Sequence, residues 1–417
     1  METGGLLLIA VVVVAYALVS RRLETTPVTG PMVFVTTGIL LGSDALGLMD
    51  SDMAEGGVRL LAEATLILLL FTDAIRIDLT VLRRNITLPA RLLGIGLPLT
   101  IAGGALLAAL VFPQFGFWEA ALLAAILSPT DAALGKAVVT NIRVPGRIRQ
   151  ALNVESGLND GIMLPVITVF LALAAVAGQV DRPDSWTAFA FAQIGFGVLM
   201  GAAAGYAGGR LIDRFSARGW VDGAFRQIAT LAVAVGAFAL AETIGGNGFV
   251  AAFTAGLAYG AAARDHCQGA YDFAEDEGEL LALLTFLIFG AAIAAPALGR
   301  LDWDIAVYAL ISLFIARPLP AMLSLVGAHL KLPTMAFIGW FGPRGLASIL
   351  FGLFVLEEAD LPHGEEIRLV VTWTVLASVF IHGLSSQTLT RRYAAWFAVH
   401  GRPDMAEAVE VEEMPTR

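Results

Sequence analysis

Between Asn153 and Gly161 the chain reads Asn-Val-Glu-Ser-Gly-Leu-Asn-Asp-Gly and then runs straight into the apolar segment Ile162 to Ala177. At helical spacing Glu155 lies four residues from Asn159, and Ser156 four from Asp160, so two adjacent polar pairs project toward neighbouring helices. Ionisable groups within a membrane helix are costly and usually face a partner or a polar cavity, where they mark an ion or proton path. The chemistry open to such a cluster is reversible binding of a proton or a hard cation by a carboxylate among oxygen donors.

Two other stretches interrupt apolar runs at their centres. Residues 124–133 read Ala-Ala-Ile-Leu-Ser-Pro-Thr-Asp-Ala-Ala, and residues 338–346 read Ile-Gly-Trp-Phe-Gly-Pro-Arg-Gly-Leu. Proline removes a backbone donor and clashes with the preceding turn, so each helix is expected to open there. Backbone freed at membrane depth is tolerated where it lines a cavity, and broken helices at corresponding places in two halves point to a transporter's binding site. Two ordinary proline kinks would give the same pattern. Thr130 offers hydroxyl and carbonyl oxygens at the first break, and Asp131, starting the second half of that span, can complement a helix N-terminal dipole. Arg344 is a cation in a span with no other charge before Glu357; it is expected to pair with Glu155 and to offset the negative end of the first half-helix. Asp160 is then the carboxylate expected to titrate. Asp73 ends a long apolar run beside Arg76 and Asp78 and reads equally as an interfacial helix end. Glu63 reads as a helix-face acid near a boundary, Glu242 as a loop-edge residue, and His382 as a packing residue. Arg317 reads either as a deep or as a snorkelling cation.

The elements that must position these groups follow from composition. The 417 residues are 57% hydrophobic and 15% charged, with a mean hydropathy of +0.77, far from a soluble globular chain. Thirteen helical spans are expected near 5–19, 28–48, 57–79, 88–112, 117–140, 148–178, 186–211, 225–243, 247–263, 279–298, 304–328, 333–356 and 367–390, each long enough for a bilayer core. With the N-terminus outside, 20 of the 26 Lys and Arg fall on cytoplasmic segments, which supports that orientation. The first run, Leu6 to Val19, is followed rather than preceded by Arg21 and Arg22, and is expected to be a retained helix. Gly197, Gly201, Gly205 and Gly209 form a four-residue ladder suited to close helix packing, within the scaffold or between subunits. The stretch from Arg391 to Arg417, acidic at Glu407, Glu410, Glu412 and Glu413, is expected to be a short disordered cytoplasmic tail. The net charge of -10 argues against nucleic acid. Cys267 reads as a spectator thiol. No phosphate-binding G-x-x-x-x-G-K-[ST] motif occurs, so transport without ATP or any cofactor is expected.

Ser128-Pro-Thr-Asp131, Glu155-Ser-Gly-Leu-Asn-Asp160 and Phe341-Gly-Pro-Arg-Gly345, in this order on these spans, closely resemble the monovalent cation–proton antiporters of the NhaP and NHE type. The resemblance covers essentially the whole membrane chain. It implies an all-α polytopic membrane protein of 13 transmembrane helices, with two inverted repeats of six and crossed broken helices in spans 5 and 12. It implies a cation bound by Asp160, Ser156, the Thr130 backbone and a span-three acid best matched by Asp73, with Glu155, Asn159 and Arg344 in support and Asp131 beside them. It further implies a homodimer in which a core (about 88–178 and 304–390) moves against a scaffold (about 1–79 and 186–298). Lys136 and Lys331 are the only lysines among the 26 basic residues of a chain rich in Ala and Gly, which points to a GC-rich bacterial genome and so to a bacterial plasma membrane. Departures are an Asp at the span-three position, where Glu also occurs, and no long regulatory tail.

Such a site supports exchange by competition. Desolvation favours a neutral carboxyl group and a nearby cation favours the carboxylate, so Na⁺ and H⁺ can compete for one residue. Asn159 adds no second titrating charge, which predicts a 1:1 electroneutral cycle. K⁺/H⁺ exchange on the same fold is the nearest alternative, and a cation channel is a more distant one. An intramembrane aspartyl protease is disfavoured because the only Tyr-Asp pair, Tyr271-Asp272, is expected in a polar loop.

Overall fold

The computed structural model describes residues 3–23, 26–42, 45–48, 54–131, 134–177, 186–263, 268–358 and 361–411. Among them the ordered elements are helices: α1 (Thr3–Leu23), α2 (Gly30–Leu41), α3 (Ala54–Ile75), α4 (Leu79–Arg84), α5 (Thr87–Val111), α6 (Phe117–Ile126), α7 (Lys136–Val139) and α8 (Gly146–Ala177), followed by α9 (Trp186–Ala217), α10 (Gly223–Thr243), α11 (Gly248–Ala262), α12 (Gln268–Ile288), α13 (Trp303–Ser324), α14 (Leu332–Trp340), α15 (Leu346–Glu358) and α16 (Gly364–His400). Seven of the described helical segments are long and apolar enough to cross a membrane, and α2, α6 and α11 are shorter apolar helices. Helix length alone therefore does not yield the expected count of 13.

Polar residues start several helices. Asp78 accepts from the amides of Thr80 and Val81, Asp222 from Phe225, and Asn247 from Val250, each satisfying donors that have no partner inside the helix. Glu242, expected at a loop edge, likewise accepts from the Gly248 amide at 2.8 Å. Three helices take up prolines by widening. The amides of Leu97, Ala295 and Arg317, each directly before a proline, donate to the carbonyl five residues back, at Leu92, Gly290 and Ser312. A π turn at these places gives the ring room where an α turn would clash.

The glycine ladder of α9 packs within the chain. A methyl group on Gly201 would lie 2.3 Å from the carbonyl oxygen of Ala251, and one on Gly205 2.2 Å from that of Ala255, so the two backbones meet where only hydrogen fits. α11 in turn packs on α3, and α6 lies between α5 and α8. One large apolar cluster joins α3, α6, α8, α15 and α16.

Two expectations are corrected here. Tyr271-Asp272 lies within α12 rather than in a loop; the polar turns carry helix-forming Ala and Glu, and helix outruns the apolar segment. The tail is ordered at least to residue 411. α16 continues ten residues past 390, and Glu407 is fully buried in a short 3₁₀ turn at Ala406–Ala408, because its carboxylate meets donors described below. Cys267, Arg182, Arg264, Glu412, Glu413 and Arg417 lie outside the described residues.

Candidate ion-binding site

The two interruptions lie against each other. α6 stops at Ile126 and the next described helix is the four-residue α7, while α14 stops at Trp340 and α15 starts at Leu346. Pro129 and Pro343 cause the stops, since each lacks a donor and restricts the residue before it. The freed groups are satisfied across the gap. The Asp131 amide donates to the Pro343 carbonyl at 2.9 Å, the Arg344 Nη1 donates to the Ser128 carbonyl at 2.9 Å, and the Leu346 amide donates to Asp131 Oδ2 at 3.0 Å.

Each break therefore supplies the charge that the other's half-helix needs. Arg344, almost fully buried, sits on the negative end of α6, as expected. Asp131 caps the positive end of α15, not a second half of its own span, whose next described helix is α7. Gly345 makes that cap possible, because a methyl group there would fall 2.1 Å from Asp131 Oδ2.

α8 passes beside the first break and brings its polar residues to it. The Ser156 hydroxyl donates to the Thr130 carbonyl at 2.6 Å. Asn159 Nδ2 donates to the Thr130 hydroxyl oxygen, also at 2.6 Å, and that hydroxyl lies 3.4 Å from Glu155 Oε2. Glu155, Ser156, Asn159 and Asp160 are all buried. Thr130, Asp131 and Ser156 line a small cavity of about 20 Å³.

The ion pair expected between Glu155 and Arg344 is corrected. Glu155 Oε1 is bound by Arg317 Nη2 at 2.7 Å, with both side chains buried, while Arg344 is turned to Ser128 and its amide donates to Ser378 Oγ at 2.7 Å. Arg317 reaches Glu155 from the end of the π turn in α13. Gly342 leaves it room, since a methyl group there would lie 2.6 Å from Arg317 Nε. Sequence reasoning left Arg317 undecided; the signal available was its place directly before Pro318. Ser378 and His382 were not assigned to this network, yet His382 is buried with Nδ1 3.1 Å from Ser378 Oγ and its ring against Trp340.

Asp73 is buried near the end of α3. Its carbonyl oxygen lies 3.8 Å from where a methyl group on Gly157 would stand, so α3 meets α8 within the turn that joins Ser156 to Asp160. Asp73 also lines a cavity of about 520 Å³, together with Thr72, Arg76, Lys136 and Glu279. Lys136 and Glu279 form an ion pair across it at 3.0 Å. Pro165 stands inside α8, and having no N–H it leaves the Gly161 carbonyl without its usual helical donor. A methyl group on Gly161 would overlap the Phe253 ring of α11 at 2.3 Å. Glu63 is half-buried on α3.

The chain is similar to known proteins in sequence and in fold. The chain is 27% identical over 355 residues to the K(+)/H(+) antiporter NhaP of Alkalimonas amylolytica, covering 84% of this chain and 59% of that protein. It is 29% identical over 356 residues to the Na(+)/H(+) antiporter NhaP of Pseudomonas aeruginosa, covering 78% and 79%. The chain thus spans well under two thirds of the Alkalimonas protein and most of the Pseudomonas one. Its fold is similar to that of the sodium proton antiporter MjNhaP1 of Methanocaldococcus jannaschii, with a TM-score of 0.73 and 22% identity over 90% of this chain and 97% of that one. The family model described as sodium/hydrogen exchanger, transmembrane, matches residues 8–392, and the chain, an all-helical membrane protein, belongs to that family.

Proposed function

We propose that the chain is a secondary antiporter exchanging a monovalent cation for a proton, with both competing for Asp160. The observation that carries this reading is the buried carboxylate of Asp160 one helical turn from Ser156, whose hydroxyl is fixed on the Thr130 carbonyl. α8 and the first break supply the Asp160, Ser156 and Thr130 oxygens, and α3 meets α8 at Gly157 with Asp73 near its end, which supports a donor set suited to an alkali cation. Asp160, Ser156, Thr130 and Asp73 are the proposed ligands of the transported ion, and Asp131, Glu155, Asn159, Arg344 and Arg317 hold them. Desolvation favours the neutral carboxyl group and a bound cation favours the carboxylate, so one ion displaces the other. If reorientation requires a neutralised site, obligatory 1:1 exchange follows.

Na⁺ is the proposed cation, with the Pseudomonas relative in favour. K⁺ is the second reading, which the name of the Alkalimonas relative favours. The proposed setting is a bacterial plasma membrane, with 13 crossings, the N-terminus outside and the residues after 390 in the cytoplasm. In a homodimer, the core at about 88–178 and 304–390 would move against a scaffold at about 1–79 and 186–298. Reconstitution into vesicles with a trapped pH dye tests the proposal. External Na⁺, or K⁺ on the second reading, should dissipate an imposed pH gradient at a rate insensitive to membrane potential. Failure of Na⁺, K⁺ and Li⁺ alike overturns it.

A further inference from the structure

α14, the first half of the second broken helix, begins without a cap of its own. Its N-cap residue is Lys331, which makes no side-chain cap, and Pro333 follows in the first turn. Lysine has no acceptor to offer an exposed helical amide. The acceptor comes instead from Glu407, 76 residues further along the chain. Its Oε1 accepts from the Lys331 amide at 2.7 Å and from the Thr334 hydroxyl at 2.9 Å. The residue beside it completes a second link. The Ala406 carbonyl accepts from Arg147 Nη1 at 2.5 Å, and Arg147 lies in the first turn of α8.

The side chains around the contact seal it. Tyr393 of α16 stacks on Phe337 at 4.1 Å between ring centres, and its hydroxyl lies 3.1 Å from Thr334 Oγ1. Glu407 is fully buried and Thr334 likewise, so two neighbouring hydrogen bonds are made away from water, where losing one partner leaves the other unsatisfied.

We propose that residues 401–411 form a clasp that fixes the start of α8 relative to the start of α14, with Glu407 as a positioning residue for the ion site. Both helices lead directly to that site. At 1.5 Å per residue, about 12 Å of α8 separates Arg147 from Glu155. A similar length of α14 separates Lys331 from the break at Phe341, where Pro343 holds Asp131. A shift of α14 along α8 moves the Asp131 and Thr130 end of the site against Ser156 and Asp160. The clasp holds that register, and its effect on transport rests on the antiport reading above.

The test uses the full chain and two independent measurements. In hydrogen–deuterium exchange, Glu407→Ala should speed exchange of the amides at 331–336 and 404–408 about tenfold, the size expected for losing a buried bond to a charged group. Glu407→Gln, whose amide oxygen still accepts, should stay near the wild type. In vesicles, Glu407→Ala should raise the half-saturating cation concentration about fivefold with the maximal rate within about twofold, a split that loss of folded protein does not produce. Unchanged amide exchange in Glu407→Ala, or a lower maximal rate at constant half-saturation, overturns the clasp. If Glu407→Ala yields no folded protein, Thr334→Val and Arg147→Met replace it, and undisturbed protection in both overturns the clasp. If the wild type moves no cation, the antiport reading fails, and amide exchange alone decides on the clasp.

Discussion

The two broken helices share a cause and differ in what they present. The break after α6 opens at Leu127 and turns oxygen atoms toward α8: the Thr130 carbonyl to Ser156 and the Thr130 hydroxyl to Asn159. The break after α14 is short, from Phe341 to Gly345, and turns a guanidinium toward its counterpart. On the proposed function, the first break meets the ion and the second holds the first open. The same division runs along α8, where Glu155 is ion-paired with Arg317 and Asp160, five residues on, is the proposed ion ligand.

Substitutions on the two sides should separate these roles. Asp160→Asn is expected to reduce exchange in dye-loaded vesicles to the background of empty ones while the thermal unfolding midpoint stays near that of the wild type; retained exchange would refute its role. Glu155→Leu leaves the buried Arg317 without its partner, at an expected cost of about 3–5 kcal/mol in stability, and adding Arg317→Met should recover most of that. Thermal unfolding in detergent reads both, and an unaffected single variant would sever the support side of the comparison. Gly345→Ala forces a methyl group onto Asp131, with overpacking and a damaged cap expected to cost about 1–3 kcal/mol in the same assay. Ser156→Ala removes one bond to the Thr130 carbonyl, worth about 1 kcal/mol. It should raise the half-saturating cation concentration several-fold at constant maximal rate, and no change would show that the first break is structural too.

Much of this arrangement was legible before any fold was known. Pro129 and Pro343 declare the breaks because a ring without a donor cannot continue a helix. The four-residue spacing of Ser156 and Asp160 places both on one side of α8. The partner of Glu155 was not legible. Arg317 and Arg344 are both buried cations near the second break, and spacing cannot say which reaches across; the choice turns on Gly342, whose missing side chain gives Arg317 room, and on Ser128, whose carbonyl engages Arg344. Asp131 was read as able to complement the helix of its own span, whereas the amide it meets is 215 residues away. Glu407 was hidden by composition: a polar, acidic segment reads as unfolded until the uncapped start of α14 is seen to need a carboxylate.

The widened turns before Pro98, Pro296 and Pro318 carry a consequence for reading helix faces. Each admits one residue more than an α turn, and a residue occupies about 100° of rotation. The inward stripe is therefore out of phase across each proline, so an alignment that treats α5, α13 or the helical run from α12 on to Arg300 as a single uninterrupted wheel would put lipid-facing positions on the inside for half its length. Arg317 sits at such a discontinuity. Its inward direction belongs to the half of α13 that comes after the phase slip, and deleting a single residue from 312–316 would be expected to swing it away from Glu155 although Arg317 and Glu155 themselves stay unchanged.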